Sequence, residues 1–311
     1  MTTEDPGRAF PDPKAGLYRR IWLLTGRRQM MLIGLAVVIA LLTAAPLEFQ
    51  KAIINGLGAA MPVPELVQLA IWYAAVVLLV AGLKFALGYG TARTGETAVL
   101  AIRKRVLAHQ ATPDATAIPQ GTLVNMLSGE AEVVGSFAGS AFAMPVVQIG
   151  TLASVLAFIA ASQPLLGLVA LAVVAPQAFI VLDVQRRVTA LVRERVSHIQ
   201  RAADRVIGSG ETAPGLTAQQ HFDAVYDLQR QVHLLKQGSK FAINTLNALG
   251  VVAALALGGY LVIRGQSDVG TVVAALSGLS RIAKPWNELI AFYRQWSVVK
   301  VRFALMASRL A

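Results

Sequence analysis

Apolar residues in this chain gather into six runs, each close to the length of about 20 residues that a helix needs to cross a hydrocarbon core. They are Met30–Phe49, Leu66–Tyr89, Ala141–Ala161, Pro164–Leu182, Phe241–Ile263 and Val269–Phe292. The connections alternate in length. Gln50–Glu65, Ser162–Gln163 and Arg264–Asp268 are short, whereas Gly90–Ser140 and Asp183–Lys240 are long. The expected fold class is an all-α integral membrane protein with six transmembrane helices and two long helical hairpins, at about 90–140 and 183–240.

The long connections carry a helical pattern of their own. In Asp183–Gly208, Val184, Val188, Leu191, Val192, Val196, Ile199, Ala203 and Val206 form one apolar stripe. Arg186, Arg187, Arg193, Arg195, Arg201 and Arg205 take the other faces. No stop signal separates this pattern from the fourth run, so the two should form one helix. Arg93–Gln110 should extend the second run in the same way. About 25 helical residues reach ~37 Å, so each hairpin should project well beyond a membrane. Pro and Gly interrupt both hairpins near their tips, at Thr112–Thr122 and Gly208–Thr217.

Charge then sets an orientation. The long connections and both termini hold nearly all the Lys and Arg, while the short ones hold only Lys51 and Arg264. By the positive-inside rule, both termini and both hairpins are cytoplasmic. The expected domains are a cytoplasmic tail with an interfacial elbow helix at 1–28 and a six-helix transmembrane domain at 29–311. Within the first, Leu17–Gln29 mixes Leu17, Ile21, Trp22 and Leu24 with Arg19, Arg20, Arg27 and Arg28, a pattern suited to the inner leaflet surface. The polar, basic start and the spanning length of the first run argue against a cleaved signal peptide.

Composition agrees. Charged residues make up 14% of the 311, against about 25% in soluble domains, and mean hydropathy is +0.58. The net charge of +11 would suggest nucleic acid for a soluble protein. Here the cytoplasmic loops account for it, and no nucleic-acid partner is expected. There are no Cys residues, hence no disulfide or thiolate chemistry. His109, His198, His221 and His233 have no metal-ligand spacing, so no metal site is expected. No nucleophile elbow or paired-carboxylate arrangement appears, so no catalytic residues are expected. A bacterial inner (plasma) membrane is the expected location.

The sixth run is unusual. Ser277, Arg281, Lys284, Glu288 and Gln295 fall on one helical stripe, with Leu279, Ile282, Trp286 and Leu289 opposite. Charged residues in a span usually face a cavity or the bundle interior. One reading gives Arg281 and Lys284 the anionic or polar parts of a substrate. The other pairs Lys284 with Glu288 at i, i+4. Pro285 should kink the helix, as a hinge or as a fixed bend. Asn244 and Asn247 share a face of the fifth run and suit either cavity lining or interhelical hydrogen bonding. Lys84 reads as a snorkelling side chain. Gly135-x-x-x-Gly139 permits close helix packing.

Six runs, two long cytoplasmic hairpins and short outer loops resemble the transmembrane domain of an ATP-binding-cassette (ABC) exporter. Ile118–Phe137, with Gly121, Leu123 and Glu130, is similar to the family's stretch after its first coupling element. Gln266–Leu289, with Val269-Gly270 and Pro285, is similar to the entry into the sixth span, and Val298–Leu310 resembles the linker to the ATPase domain. The resemblance covers almost the whole chain.

It implies ATP-driven export by alternating access, with two copies or this chain and a similar one enclosing a cavity. It also implies coupling tips that dock on the ATPase. The first would be Asp114, Ala115, Thr116, Ala117, Ile118 and Pro119; the second would be Glu211, Thr212, Ala213, Pro214, Gly215 and Leu216, continuing to about Gln220.

The family's ATPase motifs are missing. There is no Gly-Lys dipeptide, hence no phosphate loop, and the only Gly-Gly is Gly258-Gly259. ATP hydrolysis, with its ATP and Mg, is therefore expected on a partner nucleotide-binding ATPase, encoded separately or otherwise divided from this chain. Two other readings stay open: a non-transporting or degenerate membrane subunit, and a secondary transporter driven by an ion gradient. The second is disfavoured because Glu288 is the only carboxylate well inside a run.

Overall fold

The computed structural model describes residues 16–111, 120–207 and 217–309. Among these the chain is almost wholly helical, with no strand. Helix α1 is Leu17–Leu42, α2 Ala45–Gly58, α3 Val63–Gln110, α4 Gln120–Asn125 and α5 Ala131–Ser140. A single π-helical turn, Met126–Glu130, joins α4 to α5. Then follow α6 (Ala143–Ser162), α7 (Pro164–Ile207), α8 (Ala218–Ile263), α9 (Val269–Ser280) and α10 (Ala283–Arg309). Among the described residues, five apolar helical stretches are long enough to cross a membrane.

Two of the expected extensions appear as single uninterrupted helices. The second run continues into its hairpin arm as α3, 48 residues long. The fourth continues as α7, 44 residues long, despite Pro176 in its interior. The returning arm α8 carries the fifth run in the same unbroken way, over 46 residues. It opens on a capping box: the Gln220 amide donates to Thr217 Oγ1 and the Thr217 amide donates to Gln220 Oε1. Both helix-end donors are thus satisfied before the arm starts.

Three expectations change. First, the segment read as an interfacial elbow is not a separate helix. It is the first part of α1, and Leu17 and Ile21 are buried against Val299, Phe303 and Met306 of α10. Even Arg20 is covered there, over the Phe303 ring at 5.1 Å. Second, the first run breaks at Thr43–Ala44, just ahead of Pro46, so α1 and α2 share it. Third, the sixth run is not one helix. It divides into the 12-residue α9 and the 27-residue, amphipathic α10.

The packing follows small residues. The helix pair α7 and α8 runs side by side, and α3 lies against α5. At the α3–α5 crossing, a Cβ on Gly135 would sit 2.6 Å from the Val99 amide nitrogen, and one on Gly139 would meet Thr91 O and lie 2.8 Å from Gly95 N. The Gly135-x-x-x-Gly139 pattern therefore sets the contact. Gln29, fully buried on α1, donates from Nε2 to Ala138 O at 2.6 Å and ties α1 to α5.

By contrast, the apolar stretch of α3 is almost bare: only 6% of its residues are buried. Large side chains such as Ile71, Trp72, Leu78 and Phe85 are exposed along it, with little cover from the other described residues.

Candidate functional site

The α9–α10 junction is the most chemically loaded place in the membrane-spanning part. Helix α9 ends at Ser280, where the amides of Arg281 and Ile282 turn back to Gly278 O and Leu279 O at 3.0 and 3.1 Å. Pro285 is the third residue of α10 and buried. Its nitrogen has no hydrogen to give to the carbonyl of Arg281, and its ring crowds that turn. The break therefore falls one turn before the proline, where a continuous helix would have needed its hydrogen bond.

The break turns the cations outward. Arg281 and Lys284 are exposed, Ser277 and Glu288 are half-buried, and Leu279 and Ile282 are fully buried against α6 and α7. No ion pair joins Lys284 to Glu288 among the described residues. Lys84 of α3 lies near enough to feel the charges of both Lys284 and Arg281. Three cations from α3 and the α9–α10 junction thus share one region. Sequence spacing tied Arg281 to Lys284, but nothing in it could bring Lys84, some 200 positions earlier, to the same place.

The remaining candidates are less tightly joined to this cluster. Asn244 is exposed on α8, while Asn247 is half-buried, its Oδ1 shielded and without a hydrogen-bond partner among the described residues. Just ahead of them, the carbonyl of Ile243 receives the side-chain amide of buried Gln177 from α7. Gln185 of α7 donates to Ile290 O of α10 at 3.2 Å. These two glutamines pin α8 and α10 to α7. Sequence reading missed both, because a lone Gln gives no sign of which backbone it will reach.

Glu130 closes the π-helical turn and is buried, with Asn125 donating to one oxygen. Neighbouring Glu132 instead pairs with Arg103 of α3 at 2.9 Å.

The short-loop end holds a second built feature. Asp268 caps α9, accepting from the Thr271 amide at 2.6 Å and from its hydroxyl at 2.8 Å. Asn55 of α2 donates to Asp268 at 2.6 Å and accepts from the Gly270 amide at 2.8 Å. Partial burial pushes the Asp268 carboxyl up, but the hydrogen bonds from Thr271 and Asn55, with Lys51 nearby, outweigh it and hold the group below its usual range.

At the opposite end, the expected coupling tips Asp114–Pro119 and Glu211–Leu216 lie outside the described residues. The arms leading to them are described. On the second hairpin, His198 Nδ1 and His221 Nδ1 stand 2.9 Å apart, linking α7 to α8. Among the described residues no three His, Cys, Asp or Glu side chains converge on one point.

A comparison with curated proteins gives no match. A family model described as the ABC transporter transmembrane region matches residues 30–283, from the apolar part of α1 through α9 to the junction. With most of its length matched and its long helices laid out as that resemblance implies, the chain belongs to the ABC transporter transmembrane region family.

Proposed function

We propose that this chain is the membrane permease of an ATP-driven exporter working by alternating access. ATP binding and hydrolysis, with Mg, would take place on a partner nucleotide-binding subunit or domain. The observation that carries the reading is the pair of unbroken helices α3 and α7, each running from an apolar stretch into a basic arm. A stiff arm transmits displacement at its tip to the membrane end without bending.

The tips, Asp114–Pro119 and Glu211–Leu216, would dock on the ATPase. ATP closing two ATPase domains would then draw the arms together and bias inward-open against outward-open states. The bare apolar face of α3 supports a second membrane chain, identical or similar, together with lipid. The break at Arg281–Ile282, with Pro285 beside it, would be the hinge that reorients the cluster of Lys84, Arg281 and Lys284. Those cations, with Ser277, Asn244, Asn247 and Glu288, would face the transported molecule. The location is the bacterial inner membrane, with both termini and both hairpins in the cytoplasm.

The test is a pull-down of the detergent-solubilised chain from its native membrane. An ATPase that co-purifies, and is lost when 114–119 are deleted, supports the reading. A folded chain that retains no ATPase refutes it in favour of a non-transporting subunit.

A further inference from the structure

A cavity of about 240 Å³ opens between α7, α8 and α10, its α10 side starting at Asn287, two residues past Pro285. Lys236 and Lys240 of α8 and Arg294 of α10 line it, with Gln185, Ser239 and Asn287 as further polar groups. Among the described residues no carboxylate lines it. The nearest in sequence are engaged or turned away: Asp183 pairs with Arg187 at 2.9 Å, and Glu288 follows Asn287 without lining the space. Three cations around one small cavity repel each other unless something negative sits among them. Lys236 registers this: burial first, then the charges of Arg294 and Arg195, hold its ammonium below the usual lysine range.

The position narrows the occupant. α8 enters its apolar stretch at Phe241, directly after Lys240, and α7 leaves its own at Leu182, just before Val184. Val184, Val188, Ile290 and Ala291 supply an apolar side to the same cavity. The space is below the ~300–1,000 Å³ usual for drug-sized ligands, so it suits a compact head. A basic pocket between membrane helices at the cytoplasmic interface is the arrangement that takes anionic headgroups, and the planar Arg294 fork fits two oxygens of one phosphate.

We propose that this cavity is a binding site for a phosphate-type oxyanion, supplied either by a phospholipid headgroup or by a free organic phosphate, and held by Lys236, Lys240 and Arg294. Its three cations are different residues from Lys84, Arg281 and Lys284, and all three belong to this chain.

The experiment uses the full chain in nanodiscs of phosphatidylglycerol mixed with phosphatidylcholine. Lipid retained after detergent extraction is counted by native mass spectrometry, and glycerol 3-phosphate binding is followed in parallel by calorimetry. Three variants are compared with the wild type: K236Q/K240Q/R294Q, the charge-keeping K236R/K240R, and R186Q/R193Q, which removes two exposed cations that do not line the cavity.

Retention of phosphatidylglycerol that falls by about tenfold or more in the triple Gln variant, and survives in the other two, supports the site with lipid as the source. Glycerol 3-phosphate binding lost in the same variant, without lipid preference, supports it with a free phosphate as the source. Equal loss in R186Q/R193Q, or no anion preference in the wild type, overturns it. K236R/K240R separates a folding defect from a binding one, since it preserves charge.

Discussion

At Gly139 the chain allows no substituent. A methyl group there meets the backbone of Thr91 and Gly95 across the α3–α5 crossing, where nothing can rotate aside. Gly139→Ala should lower stability by about 1–3 kcal/mol, read as a drop in unfolding temperature. Gly82→Ala on α3, with open space around its Cβ, should leave it unchanged or raise it slightly, since Ala suits a helix interior better than Gly.

Asp268 makes the second residue-scale prediction. Its folded carboxyl lies below the ordinary value of 3.8, so its contribution is complete above that value. It is lost as pH falls through the depressed one. Asp268→Asn should flatten the acid side of the stability curve, and Asp268→Ala should cost about 1 kcal/mol through the lost cap. An unfolding-temperature series from neutral pH down to about pH 3 checks both. An unchanged acid limb in Asp268→Asn would contradict the assignment.

Between elements, the break at Arg281–Ile282 departs from the sequence reading. Pro285 predicted a kink within one continuous sixth helix, whereas α9 and α10 are separate. The break falls ahead of Pro285 because the hydrogen bond a proline removes belongs to a carbonyl four residues earlier. Pro285→Ala restores an amide that can bond Arg281 O, so α9 and α10 should join into one straighter helix. Spin labels at positions 277 and 288 should then show a narrower distance distribution than in the wild type. An unchanged distribution would assign the break to the packing of Leu279 and Ile282 instead.

The long arms were legible for a simple reason. A 20-residue apolar run and a stripe at helical spacing are local signals, and no stop residue lies between them. The α1–α2 break at Thr43–Ala44 was less visible, since Pro46 sits near the end of the first run. The docking of Leu17 and Ile21 on α10 could not be read at all. Amphipathic pattern shows that a face needs cover, but not whether lipid or protein supplies it.

Across the whole molecule, the charge clusters show the limit of sequence reading. Lys84 with Arg281 and Lys284, and Lys236 and Lys240 with Arg294, join residues far apart along the chain. Spacing carries no information about such tertiary neighbours.

If the first cluster meets the transported molecule, Arg281→Gln should raise the concentration of an anionic amphiphile needed to stimulate the partner's ATPase. Losing one charge-assisted hydrogen bond, ~1.5–3 kcal/mol, corresponds to roughly 10- to 100-fold. Stimulation by a neutral amphiphile of the same size should change little. Equal loss for both would place Arg281 in the fold and not in the site.

Alternating access requires that the region around Ser277 face opposite sides of the membrane in turn. The chain has no cysteine, so Ser277→Cys gives one thiol without background. Its labelling by a membrane-impermeant maleimide can be followed with the ATPase partner present, in inside-out and right-side-out vesicles. Alternating access predicts labelling from the cytoplasmic side without nucleotide, and from the outer side once ATP is trapped. Labelling that is the same from each side, whatever the nucleotide, would contradict it.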